Sequence, residues 1–191
     1  MAGSASYTAI LDACVLYPAL VRDVLLSLAH ADLYSAKWTS HIRDEWVRSK
    51  LRDHPDRERQ IVSAAQAMEV AISDCLVRGY EHLIEGLQLP DPDDRHVLAA
   101  AIAGHADAIV TLNVKDFPQD VLDAFGVEIQ TPDEFVLNQL MLDKVRAAAA
   151  IKRMRTRWQR PQMDAQAMVS LFERRGLHQT AAHLTDLVSL L

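Results

Sequence analysis

The chain has 191 residues, half of them apolar, enough for one domain or for one domain with an appendage. No apolar run is long enough to span a bilayer, and the opening M-A-G-S-A-S-Y-T lacks the charged-then-apolar pattern of an export signal. Cys14 and Cys75 are too few and too far apart for a disulfide framework, so a reduced, cytoplasmic protein is expected. The net charge of −6 argues against a simple nucleic-acid coat, but it is unevenly spread. Residues 1–138 carry 11 Lys/Arg against 22 Asp/Glu, and residues 139–191 carry 9 against 4. An acidic body joined to a basic tail suits either a polyanion contact or two pieces that complement each other.

Residues 7–11 form a short β-prone run that ends at Asp12. Residues 18–30 read as a helix, with Pro18 suited to the first turn and Leu20, Val24, Leu25 and Leu28 on one face. A brief strand is expected at 36–39. Ser40 then caps a helix to about Leu51, with Ile42, Trp46 and Val47 on its apolar side. A long helix from about Asp56 to Cys75 and a shorter one near 80–87 follow. L-P-D-P-D-D is a turn, because its prolines cannot continue a helix. Asp93 or Asp94 starts the next helix, which Gly104 ends. Residues 107–112 read as a buried strand, and a last strand falls near 127–130.

Strands that alternate with helices predict an α/β sandwich around a mostly parallel sheet. Ligands of such sheets bind beyond the carboxyl ends of the strands, where Asp12, Asn113 and Asp116 fall. From T-P-D-E at 131–134 onward the pattern is all helical: a capped helix, a basic one over about 142–158, and two more separated by Gly176. The expected division is a body over 1–130 and a helical extension over 131–191.

Each acid alone has a structural explanation. Asp12 can cap a turn, Glu45 can be a solvated helix residue, and the acids at 91–94 can favour a helix start. Taken in series, the strings A-I-L-D-A-C-V-L-Y-P-A (9–19), W-T-S-H-I-R-D-E-W-V-R (38–48), L-P-D-P-D-D-R-H-V-L-A-A-A-I (89–102) and D-A-I-V-T-L-N-V-K-D-F-P (107–118) say more. In their order the sequence resembles the PIN-domain ribonucleases, and more narrowly the VapC-like toxins of bacterial toxin–antitoxin modules. The resemblance covers about residues 7–130. It implies a three-layer α/β/α fold and a site built from Asp12, Glu45, Asp94 and Asp116. Asp91 and Asp93 stay in contention for the third position, because the D-P-D-D run leaves the register open. Ser40, Thr111 and Asn113 match polar positions that line the site and meet substrate.

Clustered carboxylates repel: two unit charges about 4 Å apart cost roughly 4 kcal/mol at an effective dielectric of about 20. A divalent cation relieves this. With neither paired cysteines nor an H-E-x-x-H string, oxygen ligation suits Mg²⁺ or Mn²⁺ rather than Zn²⁺. The implied reaction is metal-assisted hydrolysis of RNA, with Asp12, Asp94 and Asp116 as ligands and Glu45 acting through water. His41, His96 and Cys14 read as packing or surface residues.

The basic helix puts Arg153, Arg157 and Arg160 on one stripe, opposite Ile151, Met154 and Trp158. That stripe is expected to meet RNA phosphates. The extension is otherwise suited to an antitoxin or a homodimer contact. Transfer RNA and ribosomal RNA both fit the resemblance as substrates. A phosphatase of the haloacid-dehalogenase type would need an aspartate where Cys14 stands. A DNA nuclease and an inert PIN scaffold that binds RNA or protein remain the competing readings.

Overall fold

The computed structural model describes residues 7–159 and 161–191. Four short strands, β1 (Thr8–Leu11), β2 (Ser35–Lys37), β3 (Ala108–Val110) and β4 (Glu128–Gln130), form one all-parallel sheet in the order β2-β1-β3-β4. Ala9, Ile10 and Leu11 of β1 and all of β3 are fully buried, because helices cover both faces of the sheet.

Between β1 and β2 lie α1 (Ala13–Leu16) and α2 (Ala19–His30). Pro18 sits just outside α2 as its N-cap, one residue earlier than expected. Between β2 and β3 lie α3 (Ser40–Asp53), α4 (Glu58–Ala71) and α5 (Arg95–Ala103). The cap of α3 is Thr39, which accepts from the Ile42 amide, and Ser40 is already helical. Helix α4 stops at Ala71, short of the expected Cys75, and the chain then turns back so that Leu76 bridges to Trp38. The helix expected near 80–87 is a 3-10 segment, Glu81–Gly86.

Helix α5 presents His96, Val97, Leu98 and three consecutive alanines to the interior, all buried. Small side chains let it lie close to the sheet. It ends at Gly104, where a Cβ would stand 2.9 Å from both the Ala100 carbonyl oxygen and a Val77 methyl, so only glycine fits that approach. After β3 come α6 (Gln119–Leu122) and β4.

From β1 the chain winds to β2 on one side, while β3 leads to β4 on the other. The carboxyl ends of β1 and β3 therefore flank the switch point of the sheet, where open α/β folds bind ligands.

The remainder is helical: α7 (Pro132–Leu142), α8 (Lys144–Arg157), α9 (Ala165–Arg174) and α10 (His178–Thr185). Thr131 and Glu134 form the expected capping box on α7. Helix α8 packs along α2 and α7, and α10 packs on α7 and α9. Ile151, Met154, Phe172, Leu184, Leu187 and Leu191 join the same buried core as the sheet. No described helix is long and apolar enough to cross a membrane.

Candidate active site

Asp12 follows β1 directly and caps α1. Its Oδ1 accepts from the Ala13 amide at 2.6 Å, and its Oδ2 accepts from the Thr111 hydroxyl at 2.6 Å and the Cys14 thiol at 3.1 Å. The side chain is almost wholly buried yet lines a pocket of about 570 Å³. Glu45, Asp94 and Asn113 line the same pocket, beside Tyr17 and Asp53.

The third strand brings the opposite wall. Thr111 is fully buried and reaches the site through Asp12, not by facing substrate. Its hydroxyl oxygen also accepts from the Asn113 amide at 3.0 Å. The 3-10 turn Val114–Asp116 follows, anchored by the fully buried Phe117. Asp116 thereby stands half-buried, near enough to act on Asp94.

The D-P-D-D run folds as a 3-10 turn, Pro92–Asp94, leading into α5. Asp91 caps that turn, accepting from the Asp93 amide at 2.9 Å, and Asp93 points to solvent. Asp94 lies in the pocket. Burial, and then the charges of Asp12, Asp91 and Asp116, push its carboxyl from 3.8 up to about 6, with His96 opposing. Among the three acids that were in contention, Asp94 is thus the one set in the pocket among the other carboxylates.

Glu45 comes from the middle of α3. The imidazoles of His41 and His96 stack at 3.9 Å between ring centroids, and both approach Glu45 Oε1, at 3.8 Å and 3.4 Å from Nε2. Burial, then His96, lowers the His41 pKa. His96 is buried, and its Nδ1 has no hydrogen-bond partner among the described residues. The donor atoms of this trio lie within 4.8 Å of one another, a mixed nitrogen–oxygen set that shares Glu45 with the carboxylates. Sequence reading missed this grouping: His41 is one helical turn before Glu45, which was visible, but His96 joins only through the packing of α5.

Cys14, expected as an inert buried thiol, is instead half-buried at the pocket wall. Its sulfur meets Asp12, Thr111 and the Leu112 amide, and burial followed by the Asp12 charge raises its pKa to about 12. It is a neutral thiol that steadies Asp12. Ser40 is exposed in the first turn of α3 and is not among the pocket residues. Of the basic stripe, Arg153 and Arg157 are not at the pocket either. Arg157 binds Asp23 and the Ser27 hydroxyl, each at 2.9 Å, Arg153 is exposed on α8, and Arg160 lies outside the described residues.

A family model described as "PIN domain" matches residues 8–115. The chain belongs to the PIN-domain family. A second model, "VapC50 C-terminal domain", matches residues 132–186, so the extension of this PIN protein is itself a recurring unit. A stretch of 73 residues is 42% identical to a Mycobacterium tuberculosis protein named "Putative ribonuclease VapC50", covering 38% of this chain and 43% of that one. The matched stretch thus spans less than half the length of that relative. No solved structure matches.

Proposed function

We propose that this PIN-domain protein is a divalent-metal-dependent endoribonuclease that serves as the toxin of a toxin–antitoxin pair. The observation that carries the reading is Asp94 in the pocket, where burial and then the charges of Asp12, Asp91 and Asp116 push its carboxyl up to about 6. An ionised Asp94 in that setting is costly, and a counter-cation relieves the cost. An oxygen-only donor set fits Mg²⁺ or Mn²⁺. Asp12, Asp94 and Asp116 would hold it, with Asp91 and Glu45 acting through water and the solvent-facing Asp93 left out. When bound, such an ion polarises a nonbridging phosphate oxygen and makes a water nucleophilic near neutral pH.

The chain's own residues do the rest. Thr111 and Cys14 fix the orientation of Asp12, as outer partners of ligating carboxylates do. Glu45, braced by His96, accepts the proton of the attacking water. Asn113 offers an amide donor to the phosphate or ribose at the same pocket. The water oxygen bonds to phosphorus in line with the departing 3′ oxygen, which takes up a proton. The ends left are a 5′-phosphate and a 3′-hydroxyl. The kinship of the extension and of the 73-residue stretch with VapC50 supports a toxin with a cognate antitoxin over a housekeeping enzyme.

Purified protein incubated with transfer RNA or ribosomal RNA in Mg²⁺ or Mn²⁺ is expected to cut at discrete positions, leaving 5′-phosphates, and to stop in EDTA. Cleavage that survives EDTA, or equal cleavage of DNA of the same sequence, would contradict this reading.

A further inference from the structure

A second cleft, of about 550 Å³, adjoins the carboxylate pocket, and Tyr17 and Pro18 line both. One wall comes from the PIN body, with Lys50 of α3, and the other from the extension, with Trp158 at the end of α8 and Arg175 just after α9. Resting on the ribonuclease reading above, we propose that this cleft is the subsite for the single-stranded RNA flanking the cleaved bond, with Lys50 and Arg175 on its phosphates and Trp158 as a stacking platform for a base.

Charge and placement argue for this occupant. Among the described residues the cleft's lining carries two cations and no acid, whereas the neighbouring pocket is lined by four acids, Asp12, Glu45, Asp53 and Asp94, and one cation, Arg52. A polyanion held over so acidic a centre needs positive charge close by, and here it lies across a shared wall. The field is broader than the two lining cations. After burial, the charges of Arg22, Arg175 and Arg57 all depress the Lys50 ammonium pKa, and Asp53 opposes them.

The surfaces are also fixed in advance. The Trp158 indole N–H donates to Asp23 at 2.5 Å, so the ring is held by its edge while it lines the cleft. Tyr17 is clamped between Lys50, whose Nζ is 3.8 Å from the ring centroid, and Asp53, which accepts from the phenol at 2.5 Å. A rigid aromatic surface next to cations is how single strands are held without reading their sequence. The volume lies within the roughly 300–1,000 Å³ of small-ligand sites. Arg153 and Arg157, expected to meet RNA, do not line this cleft; its cations are Lys50 and Arg175, which the packing of the extension brings together.

The test is binding of a fluorescein-labelled 12-nucleotide single-stranded RNA by anisotropy, in EDTA, so that affinity is read whether or not the RNA is cut. Lys50→Gln with Arg175→Gln is expected to weaken binding and flatten its salt dependence by about 0.7 in log–log slope for each phosphate no longer neutralised. Trp158→Ala is expected to cost roughly five- to a hundredfold in affinity, and Trp158→Phe to keep most of it. Lys144→Gln, the same removal of charge at the far end of α8, should change nothing. Unchanged affinity and slope in the Lys50/Arg175 double variant, or an equal weakening in Lys144→Gln, would overturn the subsite. A wild type that fails to cut RNA while the double variant still binds it more weakly would sink the nuclease reading and leave the subsite standing.

Discussion

At the scale of single residues, Asp12 is held in place by neutral hydrogen-bond donors. Thr111 donates to Asp12 from a fully buried position, so Thr111→Val keeps the shape and removes the donor. Losing such an outer partner typically costs 10- to 100-fold in metal affinity or activity. Mn²⁺ titration of Thr111→Val is therefore expected to show that loss, and wild-type affinity in the variant would contradict the positioning role. Asp94 makes a prediction about pH. Its carboxyl releases a proton near 6 in the folded chain, against an ordinary 3.8. Between those values the folded state holds more protons than the unfolded state, so ionising Asp94 costs metal-free protein stability as pH rises through the window. The melting temperature of Asp94→Asn minus that of wild type should grow from about pH 4 to about pH 6 in EDTA. Excess Mg²⁺ should stabilise the wild type and not the variant. A difference that stays flat across the window would refute the raised pKa of Asp94.

At the scale of elements, caps decide where the helices begin and how the extension locks together. The Leu177 N-cap of α10 makes no side-chain hydrogen bond to its own helix. Asp133 of α7 supplies one instead, accepting from the Gln179 and Thr180 amides at 2.9 Å each. Asp133→Ala leaves the buried Thr180 amide and the part-buried Gln179 amide without their partner, at about 1–3 kcal/mol. Thr131→Ala loses only a local cap, at about 1 kcal/mol. Chemical denaturation should rank the two in that order, and the reverse ranking would mean that Asp133 does not join the helices. The T-P-D-E cap, the buried strands and the alanine-rich face of α5 were legible because each follows from local chemistry. The end of α4 and the 3-10 turn at 92–94 were not, because both are set by contacts distant in sequence. Cys75 leaves the helix because its neighbour Leu76 pairs with Trp38. Asp91, in capping the turn, leaves Asp94 facing the pocket. The role of His96 was hidden for the same reason: nothing at position 96 announces that α5 will lay it against α3.

At the scale of the whole molecule, the acidic body and basic tail turn out to be partly matched to each other. Asp23 of α2 takes both Arg157 and Trp158, and Arg146 reaches the Asp32 carbonyl, whereas Arg155 stays within the extension on the carbonyls of Met163 and Leu191. The extension is thus tied to the PIN body by Arg157 and Arg146, and on the subsite proposed above it meets substrate where it adjoins the site. On the function proposed above, four acids from separate segments, gathered at the switch point of one parallel sheet, hydrolyse RNA. The most direct measurement compares RNA cleavage by wild type and Asp12→Asn in saturating Mg²⁺ or Mn²⁺, with circular dichroism confirming that both are folded. The variant is expected to lose at least about 100-fold in rate, because removing a direct metal ligand costs more than removing an outer partner. Cleavage at the wild-type rate by folded Asp12→Asn would place the chemistry elsewhere.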